Sequence, residues 1–186
     1  MRVITGTARG RKLLTPEGFD TRPTTDKIKE AICSALHFDF QGAKILDLFA
    51  GSGQMAIEGM SRGGRAATLI DSDPKAIACI QQNVKACGFA ENCTVLRTDA
   101  IAFLQRCREK YDIALLDPPY HKDILQQVIP LLLPLMTENG ILVCEHEPET
   151  HLPENFDAFH LQKEKKYGKI AVSIYRIPAE EEESDV

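Results

Sequence analysis

Four consecutive residues, Asp117-Pro118-Pro119-Tyr120, directly follow the apolar run Ile113-Ala114-Leu115-Leu116, so a carboxylate, a rigid turn and an aromatic ring emerge together where a strand ends. These residue types suit holding a planar amino group. Asp117 and the carbonyl of Pro118 can accept its hydrogens, the prolines fix φ and offer no competing N–H, and Tyr120 can stack on an attached ring. Alone, the tetrapeptide would equally suit a strand running into a proline turn. The surrounding elements must decide.

A second constellation lies upstream. Asp47-Leu48-Phe49-Ala50-Gly51-Ser52-Gly53 follows an apolar strand and places glycines where the backbone turns tightly and approaches a ligand. The third glycine of a dinucleotide fingerprint is replaced by Ala56, which weakens that reading, and no Lys-Ser/Thr pair follows to make a phosphate loop. Asp71 ends the next strand, where a carboxylate can accept hydrogen bonds from both hydroxyls of a ribose. Loop and acid together imply a nucleoside-containing cofactor. Asp99, with Ala100 after it, ends a third strand; it either caps the following helix or meets an adenine amino group across the same cleft.

The elements that position these residues alternate along the chain. Ile28, Ala31, Ile32, Ala35 and Leu36 have helical spacing behind Thr24 or Thr25 as a cap. Strands are predicted at 44–48, 66–70, 94–97, 113–116 and 141–144, each of the first four followed by an amphipathic helix, with Asp73 and Pro74 opening the one after Asp71. Segments 158–162 and 170–175 read as a hairpin turning near Gly168. Repeated βα units predict a mostly parallel, doubly wound α/β sheet with an antiparallel C-terminal edge, which binds ligands beyond the carboxyl ends of its strands.

The 186 residues suffice for one substantial core. The division expected is a basic N-terminal extension at 1–22 forming a short hairpin, an α/β domain at 23–177 and an acidic, disordered tail at 178–186. The formal net charge is −5, but Glu180, Glu181, Glu182, Glu183 and Asp185 lie in the tail, and the acids that remain balance the 22 lysines and arginines. Residues 1–12 carry Arg2, Arg9, Arg11 and Lys12 without an acid, a patch suited to phosphates. No apolar run approaches the roughly 20 residues that span a bilayer, and the N-terminus has no signal-peptide pattern. A cytoplasmic protein is expected. The six cysteines and five histidines show no metal-ligand spacing, so reduced thiols and no metal are expected.

The loop from Asp47, the acid at Asp71 and the tetrapeptide at 117–120 resemble S-adenosylmethionine-dependent methyltransferases that modify amino nitrogens. More closely, Gly6-Thr7-Ala8-Arg9-Gly10-Arg11-Lys12-Leu13 and Arg22-Pro23-Thr24-Thr25-Asp26 with Glu30 resemble the RsmD family, which methylates guanine N2 in small-subunit ribosomal RNA; the likeness runs from residue 2 to about 176. It implies a Rossmann-like class I methyltransferase that uses S-adenosylmethionine on 16S rRNA, within an assembled or assembling small subunit, and acts as a monomer. Asp117, Pro118, Pro119 and Tyr120 would be catalytic. Asp47, Phe49, Ala50, Gly51, Gly53, Asp71, Asp99 and Ala100 would hold the cofactor, and Arg9, Arg11, Lys12 and Arg22 the RNA. Asp117 and the Pro118 carbonyl would orient the amine by accepting its hydrogens, and Tyr120 would stack on an unpaired or flipped base. An N6-adenine methyltransferase would share the tetrapeptide. A nucleotide-dependent oxidoreductase would explain the glycine loop and Asp71 but not residues 117–120.

Overall fold

Each apolar strand buries its faces under the helices that connect it to its neighbours, and the alternation of the two closes into one open sheet. The computed structural model describes residues 1–16, 23–119 and 124–178. Among them the strands are β1 (Lys44–Asp47), β2 (Ala66–Asp71), β3 (Cys93–Arg97), β4 (Tyr111–Leu116), β5 (Met136–His146), β6 (Asn155–Phe156), β7 (Phe159–Tyr167) and β8 (Ile170–Arg176), in the spatial order β3-β2-β1-β4-β5-β8-β7-β6. Strands β1 to β5 pair in parallel, and β8, β7 and β6 pair antiparallel. One face packs against α1 (Pro23–Ala35), α2 (Gln54–Ser61) and α3 (Pro74–Ala86) through Ile45, Leu69, Ile113 and Val143; the other packs against α4 (Ala100–Arg106) and α5 (Ile124–Leu132) through Leu46, Ile70, Ala114 and Leu142. The order reverses at β1 and β4, which opens a crevice at their carboxyl ends.

Local signals hold where the side chain itself makes the stop. Asp73 accepts from Lys75 N at 2.8 Å with Pro74 as the first residue of α3. Helix α1, by contrast, already begins at Pro23, so neither Thr24 nor Thr25 is its cap. Two strands run longer than their apolar cores. β5 starts at Met136 through a pairing with Tyr111 across a register shift, and β7 continues through Lys163-Glu164-Lys165-Lys166 because β8 supplies a full antiparallel partner while the exposed side tolerates charge. The short β6 had no signal at all.

The N-terminal hairpin forms, with an antiparallel bridge between Arg2 and Lys12, but it is welded to the domain rather than appended to it. Val3, Ala8 and Leu13 join the core under α1 and α2. The fully buried carboxylate of Glu58 accepts from Ile4 N at 2.9 Å and Thr5 N at 3.0 Å, and Arg62 balances its charge. Ser61 takes Thr7 N on its carbonyl at 2.8 Å and Ala8 N on Oγ at 2.9 Å. Gly6, at φ 85°, passes so close that an added Cβ would lie 1.7 Å from the Ser61 carbonyl oxygen. Gly6→Ala must therefore push the hairpin off α2. A loss of about 3 kcal/mol is expected, lowering Tm by on the order of 10 °C. A thermal melt within about 2 °C of the wild type would contradict this reading of the clamp.

Candidate active site

The turn after β1 is pinned on both sides. Ala50 N donates to Ile70 O at 2.9 Å, Leu48 N to Leu115 O at 3.1 Å, and Asn83 Nδ2 to Ser52 O at 2.9 Å. Gly51 adopts φ 56° with open space where a side chain would project, so its backbone faces the crevice bare. Asp71 completes the turn: Oδ2 accepts from Gly51 N and Oδ1 from Asp73 N, each at 2.9 Å. One carboxylate thus joins the glycine loop to the end of β2 while keeping lone pairs directed into the crevice.

The strand ends enclose a cavity of about 520 Å³. On its β1-to-β3 side the wall contains Asp47, Phe49, Ala50, Gly51, Asp71, Asp99 and Ala100, and on its β4 side Asp117, Pro118 and Pro119. Gly53 is not in the wall; it precedes α2 at φ 75° and packs under Leu69 and Ile80. Asp99 caps α4 through Ala102 N at 3.0 Å and also lines the cavity, so its two candidate roles coexist. Arg9, Arg11 and Lys12 lie elsewhere. The hairpin turn carrying Arg9 sits against Ser61, the far end of α2 from the cavity, about 12 Å away at ~1.5 Å per residue. Arg11 lies toward the end of α3, where its charge tempers the rise that burial imposes on the Cys87 thiol. Tyr120, Arg22 and the acidic residues from 179 onward are outside the described residues.

Two residues escaped the sequence reading. Asp26 lines the cavity from α1, held by Gln54 Nε2 at 3.3 Å and Lys29 Nζ at 3.7 Å. Glu145 is more consequential. Leu116 of β4 pairs with Cys144 of β5, so the next residues, Asp117 and Glu145, stand side by side on parallel neighbouring strands. Asp47 pairs with Leu115, placing it on the same sheet face one pleat lower. The signal was present: like Asp47, Asp71 and Asp117, Glu145 is an acid at the end of an apolar strand run.

These carboxylates crowd one another. Burial pushes Asp47 up to about 7 against the hydrogen bond from Ala56 N, with the Asp117 and Asp71 charges adding to the rise. Asp117 is open to the crevice yet ringed by protein, and the loss of bulk water lifts it to about 6. Glu145 is raised well above the usual range by burial and then by Asp117 and Asp47. No lysine or arginine lies in the wall among the described residues. Such a site is poorly matched to a pyrophosphate and well matched to a cation bearing a nucleoside.

A doubly wound sheet of this order, opened between β1 and β4 into an acid-lined crevice with a proline turn on one lip, is the architecture of a Rossmann-like class I methyltransferase. The sequence matches, over residues 1–176, the family described as Conserved hypothetical protein 95. It is 34% identical over 186 residues to ribosomal RNA small subunit methyltransferase D of Escherichia coli strain K12, covering 98% of this chain and 92% of that protein. YlbH of Bacillus subtilis strain 168 is 37% identical over 181 residues, covering 95% of this chain and 98% of the relative. The solved structure of yhhF from Escherichia coli has a TM-score of 0.85 at 32% identity, covering 96% of this chain and 98% of that one. The chain belongs to the ribosomal RNA small subunit methyltransferase D family, enzymes whose methyl donor is S-adenosylmethionine. Its crevice fits that group in net charge: a ligand with a sulfonium, an ammonium and one carboxylate is net positive, and the described wall holds six acids and no basic side chain. Among the described residues no His, Cys, Asp and Glu cluster is placed to hold a metal, and no helix is long and apolar enough to cross a membrane.

Proposed function

We propose that this chain transfers a methyl group to the exocyclic N2 of a guanine in 16S rRNA of the small ribosomal subunit. The observation that carries the reading is the Asp117 carboxylate at the end of β4, open to the crevice, without a protein hydrogen-bond donor among the described residues, and followed by the donor-free Pro118-Pro119 turn. S-adenosylmethionine supplies an electrophilic methyl group on its sulfonium. The chain's own residues supply orientation: Asp117 and the Pro118 carbonyl accept the amine hydrogens, which fixes a weakly nucleophilic nitrogen, and the Asp117 carboxylate can take the proton it sheds. Asp71 takes the ribose hydroxyls, Asp99 meets the adenine amine, Asp47 faces the cationic end, and Gly51 gives close backbone approach. Tyr120 stacks on the base. Only a flipped or unpaired base can enter an acid-lined crevice, so the phosphates stay outside it, and Arg9, Arg11 and Lys12 of the hairpin, with Arg22, hold them beyond the cavity wall. The small-subunit methyltransferase D relatives support this choice of RNA.

Incubation with labelled S-adenosylmethionine and small subunits, or bare 16S rRNA, from cells lacking the gene should yield N2-methylguanosine on nucleoside analysis. N6-methyladenosine, or no label on either substrate, would overturn the proposal. Cofactor affinity should also depend on pH. Asp47, which faces the cationic end, has a pKa raised to about 7, so acidification neutralises it and removes attraction for a cation. The dissociation constant is expected to be roughly tenfold weaker at pH 5.5 than at pH 8, with proton release on binding near neutrality. Calorimetry showing equal affinity at both pH values would contradict the assignment of Asp47 to the cationic ligand.

A further inference from the structure

We infer that Glu145 is a specificity-determining residue that accepts the N1–H of the target guanine beside Asp117, so that two adjacent carboxylates select guanine among the bases that carry an amino group. The inference rests on the guanine N2 reading above. Six acids line the crevice, and four are already engaged by the protein: Asp47 with Ala56 N, Asp71 with Gly51 N and Asp73 N, Asp99 with Ala102 N, and Asp26 with Gln54 and Lys29. Asp117 and Glu145 have no hydrogen-bond donor among the described residues. They are also the pair that the β4–β5 register sets side by side, on the opposite side of β1 from Asp71 and Asp99.

The chemistry of the base edges makes this arrangement selective. Guanine presents N2–H and N1–H as neighbouring donors, which two neighbouring acceptors match. Adenine and cytosine present their amine beside a ring nitrogen that is an acceptor, so either base, with its amine at Asp117, would turn a lone pair toward Glu145. The guanine N1–H instead stabilises the ionised, accepting form of Glu145 against the rise that burial imposes, and the exclusion is fullest at alkaline pH, where Glu145 is ionised. A buried polar group left facing its own kind costs enough to reject a substrate by several orders of magnitude.

The test compares small subunits carrying guanine or, by rRNA gene substitution, adenine at the methylated position, once product mapping has located it. The wild-type enzyme is expected to prefer guanine by about 10,000-fold. Glu145→Gln, whose amide can donate to adenine N1, should lower the guanine rate by about 100-fold and narrow the preference to below about 100-fold, with S-adenosylmethionine affinity by calorimetry within about threefold of wild type. A variant that keeps the full guanine rate, loses it without any narrowing, or loses cofactor binding in proportion overturns the assignment. A wild-type product other than N2-methylguanosine overturns the parent reading instead, whatever the variant does.

Discussion

Asp117→Ala is expected to reduce the single-turnover rate of methyl transfer by about 1000-fold or more while leaving the S-adenosylmethionine dissociation constant within about threefold of wild type. The asymmetry follows from the position of the residue. Asp117 ends β4, on the side of the crevice away from Asp71 and Asp99, and it makes no hydrogen bond to protein among the described residues, so its removal is expected to cost the fold little. What it supplies is an acceptor for a nitrogen whose lone pair is otherwise delocalised into the ring, and positioning of that kind carries most of the rate in a displacement that needs no strong base. Asp117→Asn separates charge from shape. Its amide oxygen can still accept one amine hydrogen while the charge and the proton acceptor are lost, so it should fall less than Asp117→Ala, by about 10-fold to 100-fold. A rate within tenfold of wild type for Asp117→Ala, or a parallel collapse of cofactor binding, would remove Asp117 from the role of amine acceptor.

Asp71→Ala should show the opposite pattern, with the dissociation constant for S-adenosylmethionine rising by about 100-fold and the rate at saturating cofactor recovering to within about fivefold of wild type. Here two losses add. The ribose acceptor disappears, and so do the two hydrogen bonds that tie Gly51 N and Asp73 N to one carboxylate, so the glycine turn loses the tether that holds it against β2. Each charge-assisted bond contributes about 1.5–3 kcal/mol, so a lower Tm should accompany the weaker affinity and be partly restored by added cofactor. Asp71→Asn keeps an acceptor for one of the two amides and should lie between. If Asp71→Ala instead loses rate at saturation with unchanged affinity, the division of the crevice into a cofactor side and a base side fails.

That division also accounts for which parts of the site were legible in the sequence. Acids at the ends of apolar strand runs, a glycine turn and a proline turn are local signals, because each depends on φ, donor count or charge within a few residues. Asp47, Asp71, Asp99 and Asp117 were found that way, and the cavity wall contains all four. Glu145 carried the same signal but stands after the fifth strand, and nothing local says that the fifth strand lies beside the fourth. The cap of α1 and the lengths of β5 and β7 were misjudged for a related reason: a neighbouring strand or the start of a helix fixed them against weak local preference. Arg9, Arg11 and Lys12 form a basic cluster in the sequence, yet the placement of the turn carrying Arg9 at the far end of α2 depends on Glu58 and Ser61, about fifty residues away.

By itself, then, the chain of residues determined the alternating α/β architecture, the glycine turn after β1 and the acid-and-proline turn after β4, since hydrophobic period, glycine, proline and strand-end acids act over short range. Only the tertiary structure decided that six carboxylates share one crevice without a basic side chain among its described walls, and that Asp117 and Glu145 stand side by side without a hydrogen-bond donor among the described residues. Strand order and register bring together residues that are distant along the chain, and the mutual repulsion and lost hydration that raise their pKa values exist only once those strands have paired.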